Sequence, residues 1–361
     1  MHNMRFSGST IAKSFIAVLV LSCIALMGLT ASSATATTSV FVPSSSPSLA
    51  NFPNQSVVDP SGNLWVSSND NPSSRVTKFA PDGTATIAWN ASTAPIPGCA
   101  DQRNYGIAYA NNKIYWTCYQ AMVVSIPTSA SFPVSTSDIT IEANFSSSSF
   151  EPCGVAVAPN GDIYANNWGN SIYVKRASDP ATTFTQLSVP AFTGFILPMA
   201  FGPDGDLYAV VNGDSSVSAN DFILKFDVSG GTNSYTTYWT DTVPSSSTVG
   251  IAFFGASSTI VIVDEASSIG VRAILPNGDG TGSSAPSALA SNDPLLGSAF
   301  GIGVSSSGTI YVVITNASNL HAVTKVTGAV IPVVSTTTTP GSPTTSINGS
   351  PSSGISPQFA G

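Results

Sequence analysis

The chain is patterned in short bursts. In "GVAVAPNGDIYANNWGNSIYVKR", residues 154–176, apolar residues alternate with small ones, a Pro-Asn-Gly turn interrupts, a second alternation follows, and an Asn-rich turn precedes a third. A period of two over four to eight residues is that of a β-strand, and Asn160-Gly161 supplies residues that accept the positive φ of a hairpin turn. The same order of parts recurs in "VVDPSGNLWVSSNDNPSSRVTKF", "GIAYANNKIYWTCYQAMVVSI", "AFGPDGDLYAVVNGDSSVSANDFILKF", "GIAFFGASSTIVIVDEASSIGVRAI" and "GIGVSSSGTIYVVITNASNLHAVTKV". Second strands are predicted to open at Leu64, Ile114, Ile163, Leu207, Ile260 and Ile310. The repeat is roughly 50 residues, the range of propeller blades and solenoid coils.

A third strand follows in segments such as "SIYVKR" and "FILKFDV", and a weaker fourth in "TATIAW", "DITIEAN", "TFTQLSV" and "SYTTYWT". No stretch beyond the first 36 residues shows sustained helical periodicity. Four antiparallel strands per unit, six units long, predict an all-β, six-bladed β-propeller with four-stranded antiparallel blades. A parallel β-helix is the competing architecture, but its coils are shorter and lack this four-part order. Gly106, Gly154, Gly250 and Gly301 open inner strands, where blades crowd round a central channel. The last blade can be completed by "AVIPVV" (329–334) or by "TSVFVP" near the start of the propeller, and the pattern does not choose between them.

The ends of the chain read differently. Arg5 and Lys13 precede an apolar run at 15–29 and small residues at 34–36, the layout of a signal peptide over 1–36; the run is too short to span a bilayer. The propeller is expected over 37–334, and 335–361 is a disordered Ser/Thr/Pro-rich tail with too little apolar material for a core. The expected location is therefore secreted, extracellular or on the cell surface, with no membrane span after cleavage of the leader.

Composition narrows the partners. Only 8% of residues are charged against 42% hydrophobic, so solubility rests on Ser, Thr and Asn. The net charge is -8, more negative still once Arg5 and Lys13 leave with the leader, and no basic cluster offsets it. Such a surface repels phosphate backbones, which excludes nucleic acid as the expected partner. Cys99, Cys118 and Cys153 lie beyond the leader, and an oxidising exterior favours one disulfide, with Cys99–Cys118 and Cys118–Cys153 both open. No cysteine pair has zinc-knuckle spacing, and His321 is the one histidine outside the leader.

The segments "EPCGVAVAPNGDIYANNWGNSIYVKR" and "VVDPSGNLWVSSNDNPSSRVTKFAPDG" resemble NHL-type propeller repeats and the related streptogramin-lyase-like and gluconolactonase-like proteins. The motif is structural, so the resemblance speaks for fold more than for activity. A gluconolactonase-like site implies a divalent metal held at positions that here fall on Asn54, Tyr105, Cys153, Leu197, Val249 and Phe300, of which only Asn54 offers a suitable oxygen. A streptogramin-lyase-like site implies magnesium-assisted elimination, for which His321 and Glu151 are the available acid-base groups.

In a propeller, inner strands begin and second strands end on one face, so two sets of residues share one channel mouth. The first set is Tyr105, Glu151, Leu197, Val249 and Phe300; the second includes Asp70, Tyr119, Asn167, Trp168, Asp264 and Glu265. An apolar throat with a polar, mildly acidic rim suits a protein, peptide or glycan ligand. The expectation is a monomeric binding or scaffold module without a catalytic set, cofactor or metal, its candidate ligand residues being Asp70, Tyr105, Glu151, Asn167, Trp168, Asp264 and Glu265. The alternative is a metal-assisted enzyme using calcium or magnesium at the channel mouth.

Overall fold

A computed structural model describes residues 36–332 apart from 43–48, 50–51, 71, 120–121, 147–149, 168, 193, 214–220, 232, 244–245, 256 and 316–320. Residues 1–35 of the expected leader, the expected tail at 335–361, and Trp168 lie outside the described residues. Six four-stranded antiparallel sheets form the six blades. Blade 1 holds β2 (Pro53–Val58), β3 (Leu64–Ser68), β4 (Arg75–Phe79) and β5 (Ala85–Asn90); blade 2 holds β6 (Ile107–Ala110), β7 (Lys113–Cys118), β8 (Met122–Pro127) and β9 (Thr140–Asn144). Blade 3 holds β10 (Gly154–Val157), β11 (Ile163–Asn166), β12 (Ile172–Lys175) and β13 (Thr185–Leu187); blade 4 holds β14 (Gly194–Phe201), β15 (Leu207–Gly213), β16 (Phe222–Asp227) and β17 (Ser234–Thr240). Blade 5 holds β18 (Thr248–Phe253), β19 (Ile260–Asp264), β20 (Val271–Ile274) and β21 (Ser287–Ala290). Blade 6 holds β22 (Ala299–Val304), β23 (Ile310–Thr315) and β24 (His321–Thr327), completed by β1 (Thr37–Val42).

The question of closure is thus answered by the N-terminal candidate. β1 pairs antiparallel with β24, Thr37 opposite Thr327 and Val42 opposite Val323, with a bulge between Val40 and Val42. The other candidate contributes no described strand. Ile331 packs into the core between blades 5 and 6, and the Pro332 carbonyl accepts a hydrogen bond from Thr259 Oγ1 at 2.8 Å.

Each blade is buried on both faces, and this is why its second strand is apolar almost throughout. β3 and β19 are buried at every position. Six clusters of buried side chains result, one per blade interface: Trp65, Trp89 and Trp116 between blades 1 and 2, for example, and Tyr208, Trp239 and Ile262 between blades 4 and 5. The hairpin joining first and second strands repeats one turn. Gly161 takes φ 90° there, with its N–H donating to the Ala158 carbonyl, and Gly62, Gly205 and Gly308 do the same in their blades. Blade 2 instead uses Asn111 and Asn112, both at positive φ, in a two-residue turn.

Cys99 pairs with Cys118, joining the connection before blade 2 to the end of β7, while Cys153 remains a buried thiol outside the bridge. The bridge closes a loop of 19 residues, so it should contribute about 2–4 kcal/mol. Urea unfolding with and without reductant is expected to show a lower midpoint for the reduced protein; coincident midpoints would contradict this.

Candidate functional site

The upper face is the one on which inner strands begin and second strands end. There the channel narrows to a throat of about 70 Å³ lined by Asn54, Gln55, Tyr105, Cys153, Ile196, Pro198, Val249 and Phe300. Five of the six positions expected to ring the channel are in this wall. The side chain of the sixth, Leu197, lies outside the described residues; its backbone falls in a register shift of β14 between Ile196 and Met199, and its neighbours Ile196 and Pro198 line the throat. Below, the channel widens to a chamber of about 220 Å³ between the inner strands, walled by residues such as Val57, Tyr109, Val157, Phe201 and Phe253.

Gln55 fixes the geometry of the throat on the blade 6 side. Its Nε2 donates to the Phe300 carbonyl at 2.7 Å and lies 3.4 Å from the Val249 carbonyl, tying β2 to β22 and β18. On the opposite side, Ser67 Oγ donates to the Tyr105 carbonyl at 2.9 Å. The bonds to Phe300 and Tyr105 join neighbouring blades at the mouth and the one to Val249 reaches past blade 6 to blade 5, so the throat's width is set by hydrogen bonds as well as by packing.

Beside the throat, at blades 2 and 3, side chains form a connected network. Asp101 pairs with Arg103, whose guanidinium lies 4.5 Å from the centre of the Tyr119 ring and whose Nη1 donates to the Tyr105 hydroxyl at 3.3 Å. Tyr105 and Tyr119 meet edge to face with centroids 5.4 Å apart, and the Tyr119 hydroxyl donates to Glu151 Oε2 at 2.6 Å. That bond, with partial burial and the carboxylate's charge, pushes the Tyr119 hydroxyl up to about 12, so it stays a donor. Burial raises the Tyr105 hydroxyl as well. The network presents Glu151 as a held carboxylate and the two tyrosines as rigid apolar plates, an arrangement suited to recognition.

The remaining candidates divide. Asp70 lies in the loop after β3 and its N–H donates to Ser74 Oγ; Asn167 Oδ1 accepts from the Gly169 N–H at 3.1 Å, which is turn chemistry. Glu265 is exposed on the face and accepts from Ser247 Oγ at 3.3 Å. Asp264 is fully enclosed beneath the face, its carboxylate accepting the N–H groups of Ser247 and Ala266, each at 2.9 Å. Adjacent positions of a strand-like segment point to opposite sides, and here the aspartate takes the inner one. His321 heads β24.

To the expected Phe300 the structure adds Phe52 and Phe195, which the sequence reading passed over. Phe52 and Phe195, at the upper ends of the first and fourth inner strands, are 50% and 52% exposed, and Phe300 is 37% exposed. Val243 and Leu295 are exposed in connections on the same face. Apolar residues at strand openings look like core or channel lining in a sequence; a Phe beside the Pro or Gly that opens an inner strand was the available signal. Among the described residues, no group of three or more His, Cys, Asp or Glu side chains is disposed to hold a metal ion.

No family model matches the sequence, and no curated protein sequence matches it. Solved structures do share the fold. A streptogramin B lyase is 12% identical with a TM-score of 0.53, covering 81% of this chain and 97% of its own. A putative gluconolactonase is 13% identical with a TM-score of 0.54, covering 81% and 91%. A luciferin-regenerating enzyme is 12% identical with a TM-score of 0.56, covering 82% and 99%. At such identities the likeness is one of fold, and the activities named belong to those proteins.

Proposed function

We propose that this protein is an exported binding module whose upper channel mouth receives an apolar group of a neutral or weakly cationic peptide or glycan. The observation that supports it is the rim: Phe52, Phe195 and Phe300 stay substantially exposed around a small apolar throat, in a protein that otherwise buries most of its large aromatic side chains between blades. Rigid aromatic side chains give large contact area at low entropy cost, and Glu151 beside them favours ligands without negative charge. Export by the 1–36 leader belongs to the same proposal.

The test is a screen of peptide and glycan arrays with the unaltered protein and with Phe195→Ala/Phe300→Ala. Ligands that bind the former are expected to lose about tenfold or more in affinity to the latter, roughly 1.4 kcal/mol or more. Equal binding by both proteins would overturn the site. A rise in melting temperature with calcium or magnesium, coupled to turnover of any array ligand, would favour the metal-assisted enzyme instead.

A further inference from the structure

Beneath the upper face, between blades 4 and 5, three carboxylates and one guanidinium are packed out of water. Asp221, Asp241 and Asp264 are each at most 1% exposed, and Arg272 is 5% exposed. Arg272 commits its fork to Asp241, with Nη1 on Oδ1 at 3.1 Å and Nη2 on Oδ2 at 2.5 Å, and its guanidinium lies 5.5 Å from the Trp239 ring centre. Asp264 is left 3.7 Å from Nη2, at the outer limit of an ion pair. Asp221 accepts the N–H groups of Gly213 at 2.9 Å and Thr248 at 2.5 Å. Glu265, exposed above, is the other charged group facing this segment.

The charges do not balance. Three ionised carboxylates against one guanidinium would leave two net negative charges in a dry space, where like charges disfavour one another's ionisation. The donors are backbone N–H groups, and no metal-holding grouping exists among the described residues. We propose that this cluster is a buried proton-binding site: Asp264, coupled to Asp221, carries a proton in mildly acidic medium, and releasing it adds a second uncompensated negative charge beneath residues 246–249 at the blade 5 side of the mouth, which lowers the stability of the fold. Those residues are the ones the cluster holds, since Ser247 and Thr248 donate to Asp264 and Asp221 and Val249 lines the throat. The inference stands on the cluster and needs no ligand at the mouth.

The direction of the pH effect follows. Burial, opposed by the Ala266 and Ser247 N–H groups and by Arg272, pushes Asp264 up to about 6 from an ordinary 3.8; burial with the charge of Asp241 also raises Asp221. Between those values the folded chain holds a proton that the unfolded chain lacks. The resulting stability is complete below the lower value and is lost as pH rises through the upper one. Asp162 and Asp204 are lowered, so their opposing contribution is lost only below the ordinary value and does not mask this window.

The full chain is therefore expected to melt higher at about pH 4.5 than at about pH 7.5, by on the order of 5 °C, and Asp264→Asn should remove most of that difference. Infrared difference spectra of the unaltered protein should show a protonated carboxyl band that disappears across the same interval. This second measurement, and Asp221→Asn, decide the matter if Asp264→Asn does not fold. A melting temperature that is flat or rises with pH over the interval, an infrared spectrum without such a band, or calcium-dependent stabilisation at about pH 7.5 abolished by Asp264→Asn would each overturn the proposal.

Discussion

Deleting residues 37–42 is expected to cost the protein its cooperative melting transition or lower its melting temperature by on the order of 10 °C or more. Among the described residues, β1 is the only strand that joins the two ends of the propeller, pairing with β24 across most of the described chain. Its side chains also fill the seam between the last blade and the first. Phe41 packs at 4.9 Å centroid distance from Tyr311 in blade 6 and 6.4 Å from Phe79 in blade 1, under the ammonium of Lys325 at 5.6 Å. Val42 belongs to the same buried cluster as Leu64, Val66 and Val323. Without β1, blade 6 would show β24 as a bare edge, which invites pairing with other chains. Circular dichroism melts with light scattering should register both effects. Phe41→Ala alone, which leaves the backbone pairing intact, should cost about 2–3 kcal/mol, since the ring is only partly buried. A deletion variant that melts with the unaltered protein would show that the ring closes by other means.

The blade unit was legible because strand alternation and turn chemistry are local. β3, β11, β15, β19 and β23 open at Leu64, Ile163, Leu207, Ile260 and Ile310 as the pattern predicts, and β7 opens one residue early at Lys113. Closure was not legible, because both candidate strands alternate equally well and only the geometry of the whole ring separates them. The channel wall could be read position by position, since the position before the Gly that opens four of the inner strands recurs in register in the other two.

The chemistry beneath the face was hidden for a different reason. Asp264 and Glu265 stand out as an acidic pair, yet what decides their roles is the company of Asp221, Asp241 and Arg272, brought in from neighbouring strands and from the adjoining blade. No spacing rule links those positions. Most of the exposed rim is similarly invisible: Phe300 falls in the expected ring of the channel, but Phe52 and Phe195 have the composition of core residues and only the completed face shows them uncovered.

Gly301→Ala, at the channel, is expected to cost about 3 kcal/mol, because the obstruction is backbone. A Cβ at that position would stand 2.4 Å from the Asn54 carbonyl oxygen and 2.9 Å from Gln55 Cα, on the inner strand of the next blade. Gly106 makes the corresponding approach to blade 3, where a Cβ would stand 2.8 Å from the Cys153 carbonyl oxygen. A side chain can rotate away, but a strand locked into its own sheet yields only by moving the blade. Gly278→Ala is the control: nothing lies within 4 Å of its added carbon, and its cost should stay within about 0.5 kcal/mol. Denaturant midpoints compare the two, and similar values would mean that the blades are not packed to backbone contact at the channel. The same displacement would move Phe300 away from Gln55, whose hydrogen bond to its carbonyl frames the throat. Folded Gly301→Ala should therefore also lose affinity for any ligand of the upper mouth, linking the tightness of the ring to the shape of the site it carries.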